Sequence, residues 1–360
     1  MSRILVTDGT YKHSLAIVRY LRRADPTLRL LVHQGRTWIV PALAGIPPRD
    51  IVREDLESVL HKRDFDQVIP VGGPSVVLVS RICPEKAVLP SREAIALCFD
   101  KYQTVELARC CGVPCPQTWA PASAEEALSL ELSYPCVIKP RDETKTSFTR
   151  YAKDPEELRQ LYPKAAEQCS NAGGLPPLIQ EYVRGVGTGF FGLYQHGRAK
   201  RVFMHRRLRE WPVTGGPSTA ASAFYHPQLM AYGKRLLDEL KWHGVAMVEF
   251  KYEANRDRFC LMEINPKFWG SAELGLRAGV NFPADLIRVF RGEELDYNEQ
   301  YDRDLKFYWP LQGDLAALVR LRKFRAVAEY FQPHSATNFL TYPLLDVLYL
   351  GKSILQCFWR

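Results

Sequence analysis

Hydrophobic positions along the chain follow two rhythms. Short apolar runs with strand character, Arg3–Asp8, Leu28–His33 and Gln67–Val71, alternate with amphipathic stretches, the first of which runs to Leu21. This β-α-β order predicts a small doubly wound α/β domain ending near residue 90. From Ser91 to Gly112 the apolar spacing is helical, and the two prolines of VPCPQT close it. Strand patterns return at Tyr134–Pro140 and Leu178–Val183, on either side of a helical stretch, Asp154–Gln168, whose first turn is acidic; acidic residues there suit the helix dipole. Gly185, Gly187 and Gly189 are expected to interrupt the chain before strands at Phe190–Tyr194 and Arg201–His205. A helix at Pro227–Leu240 and two strands within Val245–Asn265, joined by the polar turn Glu253–Arg258, complete the pattern.

The segment MVEFKYEANRDRFCLMEINPKFWGS carries the densest chemistry. Side chains alternate faces along a strand, so Glu263 and Asn265 share a face, with Met262 and Ile264 on the other. In a hairpin symmetric about Arg256, Glu249 lies directly opposite Glu263. Like charges so placed destabilise the pair by up to ~1 kcal/mol, and a cation between them reverses the sign. Two carboxylates and an amide carbonyl are hard oxygen ligands that suit Mg²⁺, which keeps waters or takes phosphate oxygens for the rest of its shell. Spacing alone leaves a solvated acidic hairpin equally open, and a one-residue slip would put the two acids on opposite faces. Pro266 ends the ladder, and Lys267 then brings positive charge suited to a phosphate.

On these residues the chain resembles the ATP-grasp superfamily of carboxylate-amine ligases, over roughly residues 1–290. EINPKFWGS, fourteen residues after a first glutamate, is similar to the ending of carbamoyl-phosphate synthetase-like and biotin carboxylase-like members. The resemblance implies a Rossmann-like α/β domain over residues 1–90, a linker helix and small lobe over 91–188, a large lobe with the metal site over 189–295, and a helical C-terminal extension over 296–360. It implies ATP with Mg²⁺ or Mn²⁺, two ions held by Glu249, Glu263 and Asn265. The upstream motifs follow in family order. Asp100-Lys101 resembles the segment whose basic residue contacts phosphate, and VIKP, with Lys139, the strand touching the α-phosphate and adenine. QEYV resembles the hinge that holds adenine through Glu181, Tyr182 and Val183. Arg207 and Arg209, in MHRRLREWPVTGG, fall where relatives carry cations near the γ-phosphate. Arg209 is favoured, with Lys267, because Gly215-Gly216 beyond it offers a closing loop. The implied chemistry is activation of a small-molecule carboxylate as an acylphosphate, capture by an amine, and release of ADP.

The chain departs from the family at three places. RDETKTSFTR, where a glycine-rich lid belongs, has no glycine, leaving Lys145, Thr146, Ser147 and Thr149 as donors. Thr188 stands where several relatives bind ribose through a glutamate. Lys267 replaces an arginine, a point charge for a planar fork.

Composition alters this picture little. The 360 residues are 46% hydrophobic and 24% charged, as in a soluble globular protein. The net charge of +8 is scattered, without the runs that nucleic-acid binding calls for. The first turn, TDGTYKHS, lacks GxGxxG, and GxxxxGK[ST] occurs nowhere, which argues against a dinucleotide fingerprint there and excludes a standard P-loop. Nine cysteines without zinc spacing, and an opening without signal-peptide character, lead us to expect a reduced, cytoplasmic protein. In residues 296–360, Leu315–Phe331 reads as a basic helix and Phe339–Trp359 as an interrupted apolar stretch. That region suits packing on the lobes, a homodimer interface, or peripheral contact with an anionic membrane. The last use fits a competing reading, a nucleotide-regulated membrane-peripheral protein with little ligase activity.

Overall fold

The computed structural model describes residues 2–213 and 215–358, with side chains to residue 351. Three sheets organise the chain. The first is parallel, with order β3-β2-β1-β4: β1 (Arg3–Val6), β2 (Arg29–His33), β3 (Ile51–Val52) and β4 (Gln67–Ile69). Its strands are short and apolar on both faces because helices cover both, including Lys12–Ala24 and Gly73–Ile82. This is the doubly wound domain expected from the sequence.

The second sheet, order β5-β8-β6-β7, is antiparallel and forms a small lobe: β5 (Thr118–Trp119), β6 (Cys136–Lys139), β7 (Arg150–Ala152) and β8 (Leu178–Glu181). The helix Pro155–Asn171 seals one face through Leu158, Tyr162 and Ala165, and Asp154 caps its N-terminus by accepting from Glu157 N.

The third sheet has seven strands, in order β13-β12-β9-β10-β11-β14-β15. They are β9 (Val186–Gln195), β10 (Arg198–Glu210), β11 (Ser218–Ala223), β12 (Gly244–Glu253), β13 (Arg258–Asn265), β14 (Lys306–Tyr308) and β15 (Ser335–Thr337). One expectation changes here. Gly187 and Gly189 do not break the chain but lie within β9, where a Cβ at Gly187 would sit 2.7 Å from Arg207 Cδ, and one at Gly189 2.5 Å from the Phe191 ring. Glycine at these places makes room for neighbouring side chains.

The C-terminal part is largely helical, but it also adds β14 and β15 to the large sheet. The single helix expected over Leu315–Phe331 is two pieces, an α-helix Asp314–Arg320 and a 3₁₀ segment Phe324–Phe331. The break falls at Arg322, whose φ is +55°, outside helical geometry. A last helix, Pro343–Phe358, packs Leu345 against Leu15 and Val40 of the first domain. Trp359, at the end of the expected apolar stretch, lies outside the described residues. Among the described residues no helix is long and apolar enough to cross a membrane.

Candidate active site

The β12–β13 hairpin delivers the two glutamates by means of a bulge. Near the turn the pairing is Glu253 with Arg258 and Phe250 with Leu261, a register that would carry Glu249 onto Met262. The register shifts between Glu249 and Phe250, Met262 is the extra residue, and Glu249 comes to lie opposite Glu263. The feared one-residue slip is thus present in the turn register, and the bulge corrects it.

Cations compensate the pair. Lys101 Nζ donates to Glu263 Oε2 at 2.9 Å and lies 3.0 Å from Glu143 Oε1. Arg207 donates to Glu249 Oε1 at 2.5 Å, and also to Glu210 and the Gly216 carbonyl, both at 3.2 Å. Asn265 Nδ2 donates to Glu263 Oε1 at 2.6 Å. Burial disfavours the charged Glu263 carboxylate, yet Lys101 and Lys267 outweigh it and hold its carboxyl well below the usual range. At Glu249 burial wins over Arg207, and with Glu263 opposite the carboxyl is pushed up. Lys139 is pushed down to about 8, by burial first and then by Lys101.

Three cavities converge on Glu263. The largest, about 720 Å³, runs between the small and large lobes. Lys139, Glu181, Tyr182 and Val183 line it, with Arg207, Glu249 and Glu263 also on its wall. Lys101, Asn265 and Lys267 border a second cavity of about 170 Å³. The third, about 330 Å³, opens towards the first domain and shares Arg207, Glu249, Asn265 and Lys267. The expected hinge, lysine and metal residues therefore meet around one carboxylate pair.

Arg209 also lines the large cavity, but its guanidinium is bound by the C-terminal region. Its guanidinium donates to both Asp314 oxygens, at 2.8 and 2.9 Å, and to Glu329 at 2.7 Å, while stacking on Tyr308. Asp314 is fully buried and also accepts from Thr219 and Tyr330. With its donors so engaged, Arg209 ties β10 to the C-terminal region. The glycine-free segment is similarly divided. Lys145 donates to the Gly173 carbonyl and Thr146 accepts from Gln168, whereas Thr149 and Glu143 line the large cavity and Ser147 the small one.

Lys251 went unrecognised in the sequence. It lines the large cavity, donates to the hinge carbonyl of Val183 at 3.0 Å and faces the Tyr182 ring. The signal was available, since Lys251 is two residues from Glu249 on the same strand face.

The donor set fits a hard divalent cation. Two opposed carboxylates, one of them incompletely neutralised, and an amide oxygen leave a shell that phosphate oxygens would complete. Among the described residues no group of three or more His, Cys, Asp or Glu offers another metal centre.

The fold has counterparts among known proteins. A family described as "ATP-grasp in the biosynthetic pathway with Ter operon" matches residues 196–310. Biotin carboxylase 1 of Bacillus subtilis is 25% identical over 228 residues, covering 59% of this chain and 50% of the relative. The chain therefore spans about half the length of that curated relative. The biotin carboxylase domain of Hydrogenobacter thermophilus 2-oxoglutarate carboxylase, solved with MgADP, ADP and bicarbonate, superposes with a TM-score of 0.67 at 17% identity, over 84% of this chain and 72% of that one. Phosphoribosylamine–glycine ligase of Thermotoga maritima gives 0.65 at 14% identity, over 84% and 78%. The L-amino acid ligase of Bacillus licheniformis gives 0.61 at 13% identity, over 81% and 74%.

Proposed function

The chain is built on the ATP-grasp fold, and from that premise we propose that it is an ATP-dependent carboxylate-amine ligase. The observation that carries the reading is the Glu249–Glu263 pair, brought into register by a bulge at the point where the interlobe cavity meets two others. ATP is the co-substrate, its adenine held by the Glu181–Val183 backbone and Lys139 and its phosphates running towards Arg207 and Lys101. Glu249, Glu263 and Asn265 would hold Mg²⁺ or Mn²⁺, two ions in all, which when bound neutralise charge on the phosphates. A substrate carboxylate oxygen attacks the γ-phosphorus and ADP leaves. An amine then attacks the acyl carbon and phosphate leaves, giving an amide. Arg207 and Lys267 are placed to hold the transferring group, a task of positioning and charge stabilisation. The family match and the named ligases among the similar structures support this reading.

The test is ADP release from Mg·ATP across a matrix of carboxylic acids and amines. At least one pair is expected to stimulate release, and Glu263→Gln to abolish it. Full turnover in Glu263→Gln would remove the metal assignment; nucleotide binding without turnover for any pair would favour a regulatory protein.

That second reading has an observation of its own. Phe324, Phe331, Leu344 and Val347 are exposed in the C-terminal region, near exposed Arg320, Arg322, Lys323 and Arg325. Such a surface suits an anionic bilayer or a second subunit. Flotation with anionic liposomes, set against sedimentation equilibrium without lipid, separates the two.

A further inference from the structure

The 330 Å³ cavity lies beyond the carboxyl ends of two adjacent parallel strands. Its floor includes the segments following β1 and β4, the latter the edge strand of the first sheet. Ligands of open α/β sheets bind in this crevice, beyond the carboxyl ends of the strands. Here the crevice faces the proposed metal ligands, so a molecule in it lies against the reacting phosphate end of the large cavity. Its volume suits a small ligand of amino-acid size.

Two cations and two acids line it, and Arg207 is bonded to Glu249. Arg207 and Lys267 are the cations, and the acids are Glu249 and Glu263, both assigned to the metal. Asp8, close by, is not on the wall; its carboxylate accepts from the Thr7 hydroxyl and, at 2.8 Å, from Gly72 N. With both acids taken up by the metal, a carboxylate entering the cavity would meet Arg207 and Lys267, whereas an ammonium group would meet no uncommitted carboxylate on the wall. The rest of the wall is largely apolar. Trp269, held 4.4 Å from Phe191 between ring centroids, stands with Phe268 and Met247 on one side, and Tyr11 and His13 are stacked at 5.2 Å. Burial first, then Lys267 and Lys12, push His13 down to about 3, so its imidazole adds no charge at neutral pH.

Resting on the ligase reading, we propose that this cavity takes the acyl donor, and that the donor is a small acid with an apolar or aromatic body and no free ammonium group beside its carboxylate. The substrate class is an N-blocked or non-amino acid rather than a free α-amino acid, whose ammonium would lose water without gaining a counter-charge. The amine partner then arrives as the second substrate, after the carboxylate charge has been spent in the acylphosphate.

Three probes with one phenyl body and different head groups test this by calorimetry, with Mg·ADP present: 3-phenylpropanoate, L-phenylalanine and phenethylamine. The acid is expected to bind, the amino acid at least about tenfold more weakly, and the amine without saturation. Lys267→Met should remove the preference. Gly270→Leu should block the acid, since a Cβ at Gly270 meets nothing nearer than the Lys12 Cε at 4.0 Å and the added side chain has the cavity to fill. Mg·ADP affinity, measured on the same samples, should survive Gly270→Leu. Equal or tighter binding of L-phenylalanine or phenethylamine overturns the proposal, as does binding of none of the three at millimolar concentration, or acid binding unchanged in Gly270→Leu. ADP release across the carboxylate–amine matrix tests the ligase reading separately, so turnover there with failure of the three probes would confine the failure to the acyl-donor assignment, and Mg·ADP binding without turnover would count against the ligase reading itself.

Discussion

Replacing Arg209 with methionine separates a structural anchor from a phosphate-binding group. The guanidinium side chain is 9% exposed, and its principal partner, Asp314, is fully buried. Removing one member of a buried ion pair costs ~3–5 kcal/mol, because the other charge is left desolvated. Two features put this case at the lower end. Asp314 keeps hydroxyl donors from Thr219 at 3.1 Å and Tyr330 at 2.7 Å, and Glu329, at 35% exposure, can turn to water. A loss of ~3 kcal/mol is therefore expected. With a urea slope of about 3 kcal/mol/M, the midpoint falls by roughly 1 M without a change of slope. The double variant Arg209→Met/Asp314→Asn removes the stranded charge, keeps an acceptor for one hydroxyl and turns an amide N–H towards the other, whose oxygen can accept it, so it should recover at least half of the loss. Mg·ADP affinity, measured by calorimetry where the variants remain folded, should stay within about threefold of wild type. A stability change under ~1 kcal/mol together with a tenfold or greater loss of nucleotide affinity would refute the reasoning and return Arg209 to the phosphate.

Gly187→Ala places a Cβ 2.7 Å from Arg207 Cδ, so the guanidinium should leave Glu249; ADP release is expected to fall while the urea midpoint moves little. Lys139→Met removes a half-buried cation from the interlobe cavity. Hydrogen bonds to charged groups contribute ~1.5–3 kcal/mol, so nucleotide affinity should drop about ten- to a hundredfold in calorimetry. Lys12 donates to the Ser218 carbonyl and lies over Trp309, and burial pushes its ammonium down to about 7, with Glu273 and Asp314 opposing. Because the folded value lies below the unfolded one, the unfolded chain binds more protons between about pH 7 and 10.5, and stability should rise with pH across that window. Lys12→Met should flatten this rise relative to wild type in urea titrations at several pH values, and an identical pH dependence in the two proteins would contradict it.

What the sequence disclosed depended on the range of the interaction that decides each feature. Alternation along β12 and β13 is local, so Glu249, Glu263 and Asn265 were legible as one face. The bulge at Met262 was not, because the four-residue turn sets one register and the metal end needs another. Lys251 was within reach of the same alternation and was passed over. Arg209 and Arg207 look alike in MHRRLRE; the partners that separate them, Asp314 and Glu329, lie 105 and 120 residues downstream. The three-residue strands β14 and β15 carry too few positions for any period to register. The glycines of β9 pointed to a break before the strand, whereas in the fold they lie within it and supply room for Arg207 and for Phe191.

The central claim is that Glu249 and Glu263 hold a divalent cation against a nucleotide. Titrating ADP into the wild type, Glu249→Gln and Glu263→Gln, each with and without Mg²⁺, tests it most directly. Magnesium should tighten ADP binding to the wild type and have little or no effect on binding to either variant, with both variants remaining folded. Equal magnesium dependence in all three proteins would contradict the account.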